Sequence, residues 1–421
     1  MTSSDGASRT VDRCRICGAS GLFRYLDLGA TPLANSYLAE KDLGAPEFSE
    51  ELCLQVCRDC GLSQLTKVVP PDLMFRHYLY VSSTTATIRE HFAELARTAA
   101  KAAGAKKGDL ALDIASNDGC LLAAFKAEGL EAVGVDPAEN LAAEANAKGL
   151  ATECAYWTPD VARALAARRG KAKVITAANV FAHADDLQGF MEGVKEALAP
   201  DGLFVIECPW VVDFLEKGEF DTAYHEHLSY VGVTPAAALM ARHGFMVVDV
   251  EHFPDIHGGT IRLFCARSGV RPASARVAQM LAREKTLGLK EPAVYESFSR
   301  AVLANRQALC ALVAGLRAEG KTVWAYGASA KGNTLMNFFG LKADQIPCAI
   351  DDNPKKWDLY TPGAHMRIVG VDAVKTGRPD CLLLLAWNFE REIRARCRAA
   401  GYEGDFIVPV PAARLVKEIK G

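Results

Sequence analysis

The sequence has no excess of positive charge and no long apolar run. Its 421 residues include 48 Lys and Arg against 51 Asp and Glu, a formal net charge of −3. Nucleic-acid binders usually carry a basic excess, so that class is disfavoured. The densest apolar run, residues 381–387, is far shorter than the ~20 residues that span a bilayer, and residues 1–10 lack the apolar core of a secretion signal. We expect a cytoplasmic protein without nucleic-acid or membrane partners.

An even, closely spaced set of cysteines is also missing, since the 13 cysteines are spread over the chain. This pattern disfavours a disulfide framework and favours reduced thiols, some of them metal ligands. Two Cys-x-x-Cys pairs, each followed by glycine, are typical of a zinc ribbon with four thiolates, which closes the coordination sphere and makes the metal structural. A chance coincidence of two pairs is the alternative, whereas a redox role would need a βαβ context. The predicted ligands are Cys14, Cys17, Cys57 and Cys60.

The length predicts about three domains. Residues 1–72 read as short strands and turns around the cysteine pairs. They bury too little apolar surface to fold without a metal ion or another cross-link. Residues 73–290 begin with an amphipathic helix at 88–103 and then alternate apolar strands with helices, which predicts a parallel α/β sheet. Residues 291–421 repeat this alternation after a helix at 293–319. The predicted fold is therefore a zinc-ribbon-like module followed by two Rossmann-like domains.

The strand at 110–114 runs into a turn of small residues, and the next strand ends in an acid. Such a turn lets the backbone approach a ligand at the carboxyl end of the sheet, and the acid can accept both ribose hydroxyls. Because the GxGxxG pattern of dinucleotide binding is absent, we predict a nucleoside cofactor without phosphates, S-adenosylmethionine. A generic strand–turn–helix is the alternative. The predicted cofactor residues are Asp113, Ala115, Ser116, Asn117, Gly119, Asp136 and, after the next strand, Asn179.

Residues 224–227 read Tyr-His-Glu-His and concentrate titratable groups beside the cofactor fold. Their density suggests acid/base chemistry, in which His183 after the strand at 174–178 is a further candidate. In an extended segment, His225 and His227 would face one way and Glu226 the other. A metal-binding HxH pair and a structural polar cluster are the alternatives.

Together these motifs resemble the S-adenosylmethionine-dependent sugar C-methyltransferases of deoxysugar biosynthesis, which act at C-3 of TDP-4-keto sugars. The resemblance covers essentially the whole chain, although Ala115 stands where many members have glycine. It rests on the four cysteines, Tyr78–Ser83, Ser116–Gly119, Tyr224–His227, His257–Arg262 and Ala325–Asn333.

The resemblance implies the site residues and the chemistry. His227 abstracts the C3 proton, Glu226 orients or polarises within the cluster, and Tyr80, Tyr224 and His183 hold the C4 oxyanion. The methyl group passes to C3 through an enolate, without a catalytic metal. Tyr78 and His225 are predicted to contact the substrate.

A second turn, at residues 327–333, presents backbone N–H groups and Lys331 to an anion, so we expect the TDP moiety there, with Asn333 as a further contact. Arg262 is a second diphosphate candidate, against the alternative of a structural ion pair. Two other functions stay open: an O- or N-methyltransferase acting on a nucleotide-linked sugar or related small molecule, and a non-catalytic zinc-ribbon binding module.

Overall fold

A computed structural model describes residues 8–76, 81–84, 86–256 and 258–417. Tyr78, Tyr80 and His257 lie outside the described residues, so the predictions for Tyr78 and Tyr80 stay predictions. Within the described ranges, no helix combines the length and the apolar character needed to cross a membrane.

The described residues form strands and helices in three successive groups. The strands are β1 Arg9–Thr10, β2 Leu22–Pro32, β3 Ser49–Cys57, β4 Ser63–Leu65, β5 Lys67–Val68, β6 Leu110–Ile114, β7 Glu131–Asp136, β8 Thr152–Cys154, β9 Ala172–Ala178, β10 Leu198–Pro209, β11 Ser229–Tyr230, β12 Phe245–Phe253, β13 Thr260–Arg267, β14 Val323–Tyr326, β15 Cys348–Ile350, β16 Arg367–Val369, β17 Cys381–Leu384, β18 Asp405–Val408 and β19 Arg414–Val416. The helices are α1 Asp72–Phe75, α2 Ala86–Ala103, α3 Cys120–Ala127, α4 Glu139–Ala147, α5 Pro159–Arg169, α6 Leu187–Ala197, α7 Val211–Glu216, α8 Val233–Arg242, α9 Ala275–Leu287, α10 Pro292–Ala318, α11 Ala330–Phe339, α12 Val374–Gly377 and α13 Glu390–Ala399.

The central sheet has seven strands in the order β12-β13-β10-β9-β6-β7-β8. Strands β10, β9, β6, β7 and β8 are parallel, whereas β13 runs antiparallel to both β10 and β12. The predicted amphipathic helix is confirmed as α2, which buries Phe92, Leu95 and Ala99 at helical spacing. The predicted α/β alternation is likewise confirmed. The carboxyl ends of β6, β7 and β9 therefore share one edge of this sheet.

The C-terminal sheet has the order β16-β15-β14-β17-β18-β19 and is parallel except for β19. The long helix predicted before it is confirmed as α10. Strand β14 leads through residues 327–329 into α11, so this turn lies at the carboxyl edge of the second sheet. The C-terminal unit is thus a second Rossmann-like domain.

The N-terminal sheet contains a strand that the sequence did not predict. Its order is β11-β4-β3-β2, and β11 comes from residues 229–230, far along the chain. Ser229 pairs with Gln64, and Tyr230 pairs with Ser63. The segment that directly follows His227 is therefore built into the sheet of the cysteine-containing module.

Candidate active site and metal centre

The four predicted cysteine ligands converge in the N-terminal module. The Sγ atoms of Cys14, Cys17, Cys57 and Cys60 all lie within 4.8 Å of one another. The sequence folds this way because each Cys-x-x-Cys pair makes a tight turn, closed by Gly18 N–H donating to the Cys14 carbonyl and Gly61 N–H donating to the Cys57 carbonyl. Four converging thiols fit tetrahedral Zn²⁺, and they leave no coordination position for a reacting water. The metal centre is therefore structural.

Cys53 is not a fifth ligand. Its thiol is directed towards the Leu54 carbonyl at 3.9 Å, and burial raises its pKa to about 11. By contrast, the Sγ atoms of Cys14 and Cys60 lie 3.4 Å apart, and their contact lowers the pKa of the Cys14 thiol and raises that of the Cys60 thiol. Cys53 lies within β3, four residues before Cys57.

The turn after β6 has an unusual backbone. Ala115 and Asn117 adopt left-handed φ values of 58° and 52°, and Gly119, with φ 82°, precedes α3. Asp136, at the end of β7, accepts hydrogen bonds from the backbone N–H groups of Asn117 and Ala138, both at 2.8 Å. Burial raises the pKa of this carboxyl. The acid predicted to bind ribose thus also fixes the turn beside it.

Three further predicted cofactor residues lie at the same edge. Asp113 accepts a 2.6 Å hydrogen bond from Thr176, and burial raises its pKa to about 7. Asn179 follows β9 with φ 57° and donates its backbone N–H to the Glu207 carbonyl. The buried Ser116 Oγ has no hydrogen-bond partner among the described residues. A strained turn, an anchored acid and an unpaired hydroxyl at one edge suit a polar nucleoside cofactor.

Residues 224–227 form a turn, closed by the His227 N–H donating to the Tyr224 carbonyl at 2.9 Å. The extended form considered for this segment is therefore not the one it adopts. The Nδ1 of His227 lies 2.7 Å from the Thr222 carbonyl, which can only accept, so Nδ1 carries the proton. The Nε2 atom is then the acceptor for the Tyr224 hydroxyl, also at 2.7 Å. The turn consequently directs Nε2, the nitrogen that is basic in a neutral imidazole with Nδ1 protonated, at a phenol.

His183 completes an aromatic row at the edge of the central sheet. Its ring centroid lies 5.0 Å from that of His227 and 5.7 Å from that of Phe75, on which it stacks. Burial lowers the pKa of His183 to about 4, because the charged form loses its hydration. The structure thus brings together the predicted catalytic side chains of His183, Tyr224 and His227, with His183 uncharged at neutral pH.

Glu226 and His225 are directed into contacts with the N-terminal module. The Glu226 carboxylate is buried and accepts a 2.6 Å hydrogen bond from the Asn35 amide. His225 is also buried, and its Nε2 lies 3.2 Å from the Glu50 carbonyl. Burial lowers the pKa of His225. His225 therefore helps to hold the turn, and its predicted contact with the substrate stays a prediction.

Lys331, in the turn that begins α11, lies close to the segment that precedes residues 224–227. Ser329 caps α11 by accepting the Gly332 N–H at 3.2 Å. The Nζ of Lys331 lies 3.8 Å from the buried Asp221 carboxylate and 5.0 Å from the ring centroid of Trp387. Trp387 donates its indole N–H to the same carboxylate at 2.7 Å. Lys331 therefore stands at the contact between the two Rossmann-like domains, four residues after Gly327.

Two other residues predicted to contact the substrate, Arg262 and Asn333, are buried. Arg262 is completely buried and pairs with Glu207 at 2.9 Å, Glu94 at 2.8 Å and Glu251 at 3.2 Å, so its charge is used in a structural ion-pair cluster. Asn333 is 1% exposed and donates its amide to the Ala34 carbonyl at 2.7 Å. Both side chains therefore have partners within the protein.

Sequence reasoning missed Asn35 and Glu219. Glu219 lines a cavity of about 10 Å³ together with Thr222 and His227, and burial raises its pKa to about 7. Its proximity to the Tyr-His-Glu-His motif was a weak signal that it belonged to the cluster. Asn35 carried no signal, because a single asparagine in a loop 191 residues from Glu226 has no readable pattern.

Three family models match successive parts of the chain. A "Putative zinc binding domain" matches residues 14–75, a "Methyltransferase domain" matches 86–250, and a "C-methyltransferase C-terminal domain" matches 255–411. The chain is 38% identical over 413 residues to the C-methyltransferase NovU of Streptomyces niveus, covering 97% of each protein.

Two solved structures match part of the chain. Magnesium protoporphyrin IX methyltransferase (ChlM) of Synechocystis PCC 6803 with bound SAH matches 43% of this chain and 83% of its own, with TM-score 0.34 and 14% identity. The PH0226 protein of Pyrococcus horikoshii OT3 matches 48% and 97%, with TM-score 0.35 and 15% identity. The family assignment rests on the sequence matches and on the geometry above. The chain belongs to the C-methyltransferase family and is an S-adenosylmethionine-dependent C-methyltransferase with an N-terminal zinc-binding module.

Proposed function

We propose that this enzyme methylates C-3 of a TDP-linked 4-keto deoxysugar through an enolate, with His227 as the base. A ketone at C4 acidifies the C3 proton, because the resulting carbanion delocalises onto oxygen. Such a reaction needs a neutral base and a donor for the developing oxyanion. The observation that carries the proposal is the pair of His227 contacts, in which Nδ1 donates to the Thr222 carbonyl and Nε2 accepts from Tyr224.

The Tyr224 hydroxyl has two roles in this proposal. Before the sugar binds, it donates to His227 Nε2 at 2.7 Å. When the keto sugar enters, the hydroxyl turns to the C4 oxygen, which frees Nε2 to take the C3 proton. The neutral ring of His183, 5.0 Å from His227, adds a second polar group for the oxyanion. Tyr80 is proposed to assist there, and Tyr78 to contact the sugar.

The cofactor is proposed to lie at the carboxyl edge of β6, β7 and β9, held by the turn at residues 115–119, by Asp113 and Asn179, and by Asp136 at its ribose. When bound, S-adenosylmethionine supplies the methyl electrophile. The buried carboxylate of Glu226 orients the sugar beside His227. These side chains align two bound reactants, which by itself lowers the barrier of a bimolecular step.

The diphosphate is proposed to meet Lys331 and the backbone N–H groups that begin α11. This placement is supported by the helix N-terminus, which favours anions, and by the lysine directed towards the domain contact. In this arrangement residues 1–72 supply the zinc module, residues 73–290 the cofactor domain and residues 291–421 the nucleotide domain.

Mass spectrometry in D₂O tests the proposal. The purified enzyme is incubated with S-adenosylmethionine and TDP-4-keto-6-deoxy sugars, with and without a 3-amino group, beside versions reduced at C4. We expect keto substrates alone to gain one CH₂ unit, and to take up deuterium at C3 when the cofactor is omitted. His227→Asn should slow both processes about 10²-fold or more. His243→Asn is the control, since His243 binds Glu192 and Gln188 outside the cluster.

Three outcomes would contradict the proposal in different ways. Equal methylation of C4-reduced sugars would favour an O- or N-methyltransferase. Deuterium and methyl at C5, the other carbon beside the ketone, would refute the C-3 assignment. Exchange that is unchanged in His227→Asn would remove His227 as the base.

A further inference from the structure

One loop of the zinc-binding module contacts both the catalytic turn and the nucleotide domain. In residues 33–38, the Asn35 amide donates to Glu226 Oε1 at 2.6 Å. The Ala34 carbonyl accepts from the Asn333 amide at 2.7 Å, and the Tyr37 hydroxyl donates to the Ala328 carbonyl at 2.6 Å. A single six-residue segment therefore links the carboxylate beside His227 to the turn that begins α11.

The contact between Asn35 and Glu226 has the properties of a positioning interaction. The Glu226 side chain is buried, with the residue 3% exposed, and a carboxylate can only accept hydrogen bonds. A hydrogen bond to a charged group is shorter and about twice as strong as a neutral one. The neighbouring contacts at Ala34 and Tyr37 hold the Asn35 backbone on both sides, so its amide reaches Glu226 from a fixed point.

We propose that Asn35 is a positioning residue for methyl transfer, which holds the Glu226 carboxylate in the orientation that the sugar requires. The proposal rests on the function proposed above, in which Glu226 orients the substrate. It adds that this orientation is supplied by the zinc-binding module, and that the loop supplying it is seated on the nucleotide domain.

The chemistry of the contact predicts a specific pH response. Replacing the Asn35 amide by a carboxylate places two acids within hydrogen-bond distance of each other. Two such acids cannot both ionise cheaply, so they hold one proton between them. Asn35→Asp should therefore work only on the acidic side of the wild-type pH–rate profile, whereas a residue that merely fills space would show no such shift.

The test compares Asn35→Ala, Asn35→Asp and Asn35→Gln with Ser36→Ala, an exposed neighbour in the same loop. We expect Asn35→Ala to lower kcat about tenfold, the effect of one hydrogen bond to a charged group. Affinity for S-adenosylmethionine and zinc content should stay at wild-type values, and the melting temperature should fall by no more than a few degrees. Asn35→Gln keeps the amide and should recover part of kcat, and Ser36→Ala should behave as wild type.

A wild-type kcat and pH profile in both Asn35→Ala and Asn35→Asp would overturn the proposal. So would a fall in kcat that is matched by weaker cofactor binding and a larger fall in melting temperature, because that pattern indicates a structural role.

A second measurement needs no turnover and separates this proposal from the proposed function. In protein carrying ¹³C-carboxyl glutamate, the Glu226 signal is identified by its loss in Glu226→Gln. We expect that signal to titrate over a higher pH range in Asn35→Asp than in wild type. If the signal shifts but no keto sugar is methylated, the proposed function fails and the contact stands; an unshifted signal overturns the contact itself.

Discussion

The cofactor turn at residues 115–119 and the catalytic turn at residues 224–227 lie beside the same sheet but are held in opposite ways. The cofactor turn is fixed locally, since Asn117 donates to Asp136 only 19 residues away. The catalytic turn is fixed by distant residues: Glu226 contacts Asn35 across 191 residues, and His225 contacts Glu50 across 175. The cofactor turn is thus determined by a short segment of the sequence. The catalytic turn depends on how the zinc-binding module and the two Rossmann-like domains assemble.

The zinc-binding module takes a large share in this assembly. Arg15, between the first two cysteines, donates to the Leu228 carbonyl at 3.2 Å, and the Leu65 N–H donates to the same carbonyl at 3.0 Å. From the other side, Thr334 of α11 donates to the Ala223 carbonyl at 3.0 Å. Zinc therefore has no chemical role in the reaction, yet the module that it organises holds the Leu228 end of the catalytic turn, while α11 holds the Ala223 end.

The largest expected effect comes from breaking the catalytic turn alone. Cys57→Ser should abolish zinc binding and lower methyl transfer more than about 100-fold, because a structural zinc site supplies much of the folding energy of a small module. Affinity for S-adenosylmethionine should change by less than about threefold. Metal analysis, calorimetry and a methyl-transfer assay measure the three quantities. Cys53→Ser, a buried cysteine of the same strand, is the control; full activity in zinc-free Cys57→Ser would contradict the link.

The converse change breaks the cofactor turn alone. Asp136→Asn replaces one of two acceptor oxygens by a donor that faces a backbone N–H, and it weakens the contact proposed for ribose. We expect the affinity for S-adenosylmethionine to fall about 10- to 100-fold, since hydrogen bonds to charged groups contribute about 1.5–3 kcal/mol. Calorimetry measures this affinity. Glu139→Gln, an exposed acid that begins α4, should bind normally; an unchanged affinity in Asp136→Asn would remove Asp136 from the cofactor site.

A pH dependence of stability should arise beside the cofactor turn. The pKa of buried Asp113 is raised to about 7, above its value of about 3.9 in an unfolded chain. The folded state thus binds this proton more tightly, and its stability falls as pH rises between about 4 and 7, by at most about 1.4 kcal/mol per unit. Asp113→Asn should flatten that slope in urea titrations at several pH values. An identical slope in the variant would show that other groups cause it.

The smallest expected effect tests whether the backbone conformation of the cofactor turn itself affects the stability of the protein. Ala115 has φ 58°, a left-handed conformation that costs a residue with a Cβ about 1–2 kcal/mol. Glycine avoids this cost, but its greater conformational entropy in the unfolded chain offsets part of the gain. Ala115→Gly should therefore stabilise the protein by up to about 1 kcal/mol and raise its melting temperature slightly. The same change in helix α3, Ala124→Gly, should destabilise it by about 1 kcal/mol. A lower melting temperature for Ala115→Gly would contradict this account.

The features that could be predicted from the sequence were those that near neighbours in the chain determine, as in the cofactor turn. The strands, the long helices and the four cysteines carried periodicity or spacing that depends on near neighbours, and their predictions are confirmed. The partners of Arg262 and Asn333 could not be predicted, because a motif shows which residues are polar but not which distant residue contacts them. The contacts that hold residues 225 and 226 could not be predicted either, because they come from the N-terminal module.

The sequence by itself therefore determined the α/β elements, the cysteine pairs and the turn after β6, since each follows from chain stereochemistry and from side chains within about 25 residues. Only the tertiary structure decided that β11 joins the N-terminal sheet, that His227 is held with Nδ1 protonated, and that Asn35 meets Glu226. The physical reason is that these contacts satisfy buried polar groups across unit boundaries, where partners are chosen by packing rather than by order along the chain.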